Sequence, residues 1–200
     1  MTPEEFLDRV REENDTALSR LGSSKSLYAD TRGEMEAETV LRAAATAEHH
    51  AAETFAAWAE AEENDEASAA WEETAAEERD HYETVRSKVD GDHEVGEVPA
   101  IQAYLRELGT TVERVGGFLG RVLASDKSKE QMTGFFVGQA DPQTANLFRE
   151  LRSDLDAQRE RATDLLDAVC EDEEDWEAAI EAAGGAIQTA YEEYTETLEG

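Results

Sequence analysis

Two stretches of this sequence carry apolar stripes at helical spacing that ionisable side chains interrupt. One reads Leu41, Ala44, Glu48, Ala51, Phe55, Trp58, and the other reads Ala67, Trp71, Thr74, Glu78, His81, Val85. A carboxylate or imidazole in a buried stripe costs several kcal/mol, on the order of the penalty for an unpaired polar group, unless it is paired or binds a metal. With a turn centred on Asn64-Asp65, Glu48 lies 16 to 17 residues before it, Glu78 13 to 14 after it and His81 16 to 17 after it. All three therefore fall at about the same level of a helical hairpin. Two carboxylates and one imidazole form a facial set suited to iron or manganese, provided positions stay open for substrate. The bland alternative is a satisfied Glu-His pair or a solvated stripe rim. His49 and His50 are adjacent candidates on the same stretch, or simply surface histidines. Asp90 and His93 repeat the acid-x-x-His spacing in a loop, which is read as coincidence in so acidic a chain.

The elements that must hold these residues are helices. The chain has 32 alanines, three prolines at first-turn positions and no strand candidate, so the fold class is all-α. Thr2-Pro3 with Glu5 reads as a capping box opening a helix to about Leu21, followed by a polar turn from Ser23 to Arg32. Helices are then predicted over 33–62, 66–88, 99–124, 142–170 and 175–198. The loop Val89–Val98 leaves the third and fourth helices either paired directly or parallel. Ten residues at about 3.3–3.6 Å each only just span the roughly 35 Å that a parallel arrangement needs. Gly134-Phe135-Phe136-Val137-Gly138 reads as an apolar segment lying across a bundle end. The last helix has a seam of Trp176, Ile180, Ala183, Ile187, Tyr191, Tyr194 and Leu198 that can dock on the bundle or on a second subunit.

The stretch from about Val40 to Val85, with Glu48 leading to Trp71-Glu-Glu-Thr-Ala-Ala-Glu-Glu78-Arg-Asp-His81, resembles the first helical hairpin of rubrerythrin and the wider ferritin-like superfamily. The resemblance covers about a quarter of the chain. It implies a ferritin-like four-helix bundle with additional N-terminal and C-terminal helices, and a metal site at Glu48, Glu78 and His81 acting in iron or peroxide handling. In that family a second hairpin supplies another Glu and another Glu-x-x-His. Here the sequence departs from the pattern: matching Trp71 to Phe148 puts Leu155 at the second Glu and Gln158 at the second His. The bundle is expected over 33–170, with 1–32 as N-terminal helix and connecting loop and 171–200 as a docking helix. The alternative is a non-enzymatic ferritin-like protein that has lost the di-iron site and serves as a partner-binding or self-assembling module.

Composition narrows the remaining classes. There are 49 acids against 18 bases in 200 residues, a net charge of −31, and four of the bases are lysines. This broad acidic carpet resembles haloarchaeal proteins, where molar salt shortens the Debye length to about 3 Å and screens self-repulsion. The near-balanced stretch Ile101–Lys129 stands out from it. With no basic stripe, nucleic acid is excluded as a direct ligand. No apolar run approaches the roughly 18–20 residues that cross a bilayer, and a cytoplasmic location is expected. The single Cys170 excludes a disulfide framework and any multi-thiolate iron or zinc centre within the chain, and is read as structural. Trp58, Trp71 and Trp176 are read as core or interface fillers, and the Glu171–Asp175 acid run as a solvated turn. Hydrolase triads and phosphate-cradling glycine loops are absent at their required spacings. Partners are expected to be a second copy or another protein, engaged through the C-terminal helix.

Overall fold

The computed structural model describes residues 1–199, which form helices and connecting turns without a strand. The elements are α1 (Pro3–Glu13), α2 (Asp15–Leu21), α3 (Ser24–Asp30), α4 (Ala37–Ala61), α5 (Asp65–Arg86), α6 (Ala100–Glu107), α7 (Thr111–Gly138), α8 (Pro142–Val169) and α9 (Glu173–Glu199). None is long and apolar enough to cross a membrane. The hairpins α4/α5 and α7/α8 face each other, and α9 packs along α7.

Several helix starts follow the capping chemistry in the sequence. Thr2 and Glu5 form the expected capping box, the Asn64 side chain accepts from the Ala67 amide at 2.9 Å, and Asp141 accepts from the Thr144 amide at 3.0 Å. The predicted first helix is instead broken at Asn14. Its amide nitrogen donates to the Val10 carbonyl, and its oxygen accepts from Gln188 of α9, so the side chain pins the break to the C-terminal helix. The expected turn over 23–32 folds into α3 because Leu27 and Ala29 are buried. The chain leaves α3 through Arg32 and Gly33, both at positive φ.

The predicted helix over 99–124 is two helices. Thr110 and Glu113 form a second capping box, and the Gly109 and Thr110 amides both donate to the Glu113 carboxylate, so α7 starts afresh at Thr111. It then continues to Gly138, and the Gly134–Gly138 segment is its last turn and a half rather than a plug across a bundle end. Burial outweighs glycine's poor helix propensity here. Met132 and Phe136 sit in a core cluster where Phe136 stacks on Phe148 at 5.6 Å, while Gly134 and Gly138 face open space.

Residues near the start of α7 contact the end of α4: Thr111 and Arg114 bond to Glu62, and Phe118 packs on Phe55. α7 therefore runs antiparallel to α4 and parallel to α5. The crossover achieves this with the 87–99 segment and α6 together. His93 holds it to Thr46 and the Arg42 carbonyl, His50 donates to the Gly96 carbonyl at 2.9 Å, and Arg42 donates to the Asp90 and Asp92 carbonyls.

Along α9, Trp176, Ile180, Ala183, Ile187 and Tyr194 are buried against the chain's own helices, leaving Leu198 exposed. Of the two possibilities that the seam's spacing left open, it docks on the chain's own bundle. It is covered because Gly116 and Gly120 of α7 let the two helices touch backbone to backbone at Ala179 and Ala183.

Candidate functional site

The buried charged layer sits between two apolar clusters. On one side Phe55, Trp58, Trp71 and Phe118 interlock, and on the other Val40, Val85, Phe136 and Phe148 do so. α4 brings in Glu48, and α5 brings in Glu78 and His81, with exposures of 3 %, 0 % and 4 %. The Glu48 Oε2 and Glu78 Oε2 atoms lie 3.7 and 3.8 Å from His81 Nδ1. The three side chains thus converge as the stripes predict, and their ligand-type atoms all lie within 4.8 Å of one another, a group that could hold a metal ion.

The opposite hairpin fills the layer with cations. Arg121 of α7 donates to both Glu78 oxygens, at 2.7 and 2.9 Å, in the two-pronged geometry that guanidinium and carboxylate share. Lys129, two turns further along α7, donates to Glu48 Oε1 at 2.6 Å. Gln158 of α8 accepts from Arg121 at 3.0 Å and donates to Glu78 at 2.8 Å. Asp154 of α8 lies 2.9 Å from His81 Nε2. Glu48, Glu78 and Asp154 thus face Arg121, Lys129 and the His81 imidazolium, and the layer is close to neutral within the protein itself. Three buried atoms still lack a partner: Glu48 Oε2, His81 Nδ1 and Arg121 Nε.

These charges set the protonation states. Burial opposes ionisation of Glu78, but Arg121 and then His81 hold its carboxyl well below the usual range. Burial would likewise lower His81, yet Glu48 and Glu78 outweigh it and hold the imidazole up to about 10. An imidazolium favoured in the folded state stabilises fully below its unfolded value of about 6.5, and that contribution is lost as pH rises through about 10. The melting temperature of the wild type is therefore expected to fall between pH 6.5 and 10 more steeply than that of His81→Gln. Parallel slopes in thermal scans across that range would overturn the assignment.

Gln158, the residue aligned with the absent second histidine, does reach the layer, whereas Leu155 in the aligned Glu position is an apolar core residue. Arg121 and Lys129 are the members that the stripe argument missed. Arg121 had a visible signal: it is the one base in the run Val115–Ala124, whose other members are apolar or glycine.

His49, His50 and Glu53 form a second group of metal-ligand type on the outer face of α4. There His50, buried rather than at the surface, is tied to Gly96 and to Glu53 and braces the crossover, whereas the His49 ring packs edge-on against Tyr82 of α5 at 5.2 Å. Cys170 is half-buried, and burial beside Asp175 and Asp172 pushes its thiol up to about 11, which keeps it unreactive. The acid run is a helix start: the Asp172 side chain accepts from the Asp175 amide, and Asp175 accepts from the Glu171 amide. The chain was compared with protein-family models, curated proteins and solved structures, and none of them matches it.

Proposed function

We propose that this chain is a non-enzymatic, ferritin-like binding module whose own cations do the work of the metal in the site it resembles. The observation that carries this reading is the pairing of Lys129 with Glu48 at 2.6 Å and the two-pronged grip of Arg121 on Glu78. A divalent ion placed among Glu48, Glu78 and His81 would add two positive charges to a layer that Arg121 and Lys129 already neutralise. It would also sit beside a guanidinium in low dielectric, where like charges repel strongly.

One observation favours the second reading, iron or manganese bound at Glu48, Glu78 and His81 in a protein of iron or peroxide handling. Glu48 Oε2 and His81 Nδ1 are buried without partners 3.7 Å apart. That is too far for a hydrogen bond and close to the separation of two ligands on one metal at about 2.0–2.2 Å.

Elemental analysis separates the two. Protein purified in molar salt and then loaded anaerobically with ferrous iron or manganese is expected to retain less than a tenth of an equivalent, as is Glu78→Ala/His81→Ala. Arg121→Met/Lys129→Met, with the carboxylates uncompensated, is expected to gain metal. Near-stoichiometric metal in the wild type that disappears in Glu78→Ala/His81→Ala would establish the second reading instead.

A further inference from the structure

The outer face of α4 carries donors that the charged layer does not use. Glu53 lies four residues after His49 and three after His50, so one helical turn brings its carboxylate beside both rings. His49 Nε2 lies 3.4 Å from Glu53 Oε1, and His50 Nδ1 lies 3.3 Å from Glu53 Oε2. Donor atoms around one tetrahedral ion, with bonds of about 2.1 Å, stand about 3.4 Å apart.

Both rings are oriented by the fold. His50 is buried, and its Nε2 faces the Gly96 carbonyl at 2.9 Å. A carbonyl only accepts, so Nε2 carries the proton and Nδ1 of the neutral ring turns its lone pair to Glu53. An outer N–H to carbonyl bond of this kind fixes the tautomer and orientation of metal-ligating histidines. Two acceptors, His50 Nδ1 and Glu53 Oε2, are thus held 3.3 Å apart, an arrangement that calls for a proton or a cation between them. Arg106 Nη2 stands 3.5 Å from each, at the limit of hydrogen bonding, because it donates to the His50 carbonyl at 3.1 Å while its Nε donates to Thr54 at 3.0 Å. His49 is half-buried, with its ring set edge-on to both Tyr82 and His50, and Glu53 is exposed, so an ion can enter from solvent.

We infer that His49 Nε2, His50 Nδ1 and the Glu53 carboxylate bind a late divalent transition ion, zinc or its neighbours nickel and copper, with water completing the coordination. Two imidazoles and one carboxylate favour these ions over magnesium, calcium and manganese, which prefer all-oxygen sets. Arg106 does not bar the ion as Arg121 does in the charged layer: its side chain is 34 % exposed against 4 %, so solvent screens its charge. The site takes no ligand from Glu48, Glu78 or His81 and stands apart from the reading of that layer. Iron and manganese bind more weakly in this series, and an open three-ligand site releases them on desalting, so it adds nothing to the metal retained in the elemental analysis.

The test is titration of the full chain with zinc in about 2 M KCl and excess magnesium, where salt screens the acidic surface and magnesium fills the carboxylate-only sites. Long-range proton–nitrogen NMR then reads the four histidine rings separately. One equivalent of zinc is expected to bind, shifting His49 Nε2 and His50 Nδ1, keeping the His50 Nε2 proton and leaving His81 and His93 unmoved. His49→Gln and Glu53→Gln, both reachable by solvent, are each expected to weaken binding at least tenfold while circular dichroism stays unchanged. Displacement of zinc by magnesium, or binding that survives Glu53→Gln, overturns the inference. No shift at any ring overturns this inference alone. A shift at His81 with none at His49 and His50 overturns it together with the metal-free reading of the charged layer.

Discussion

Arg121→Leu is expected to destabilise the protein by about 3–5 kcal/mol, because it leaves the Glu78 carboxylate fully buried and without its cation. For a chain of this length that is a fall of roughly 6–20 °C in melting temperature. Leucine keeps apolar contact where the guanidinium now lies 5.7 Å over the Phe55 ring, so the loss reports charge rather than packing. Arg121→Lys retains the charge but loses the two-pronged geometry, and its effect is expected to be intermediate. Arg121→Leu/Glu78→Leu removes both partners and is expected to recover most of the loss, since a buried ion pair replaced by apolar groups is often neutral. The recovery stays incomplete because Gln158 and His81 each lose Glu78 as a neighbour. A single variant that loses less than about 1 kcal/mol in denaturant or thermal unfolding would mean that Glu78 has no need of Arg121. The argument that protein cations complete this layer would fall with it.

The half of the site on α4 and α5 was legible because a helical hairpin is a ruler. Residues equally distant from a tight turn meet, and the turn at Asn64 was marked by its own chemistry, so Glu48, Glu78 and His81 could be placed together from spacing alone. The half on α7 was not legible because that helix is buried on every face from Val115 to Ala124. A stripe through Val115, Leu119 and Val122 names real core residues but only one of those faces, and Arg121 lies on another. There Arg121, Ser125, Lys129, Met132 and Phe136 recur at three- and four-residue steps. Gly134–Gly138 was read as a segment across a bundle end because its two glycines argue for a break, whereas the burial of Met132 and Phe136 against Phe148 carries the helix through them. The break at Asn14 was hidden for another reason, because what fixes it is a contact with Gln188, 174 residues away.

Gly116→Ala and Gly120→Ala give the other large effect, and its sign is the informative part. In an exposed helix, alanine is better than glycine by about 0.8–1 kcal/mol, so propensity alone makes each substitution stabilising. Here a Cβ at either position would run into the backbone carbonyl of Ala179 or Ala183, and a backbone atom cannot swing aside as a side chain can. α9 would have to move away from α7, opening the seam that buries Ile180, Ala183 and Ile187. Overpacking of this kind costs typically 1–3 kcal/mol and more where backbone must shift, so each variant is expected to lose about 3 kcal/mol or more. The double variant is expected to lose less than the sum, because the first displacement already relieves the second contact. Gly134→Ala, on the same helix but facing open space, is the matched control and is expected to stabilise by up to about 1 kcal/mol. Opposite signs at Gly116 and Gly134 in thermal unfolding, with faster amide exchange along α9 only in the Gly116 variant, locate the close approach. Stabilisation at all three glycines would mean that α9 does not touch α7 backbone to backbone, and that its apolar seam is free to meet another chain.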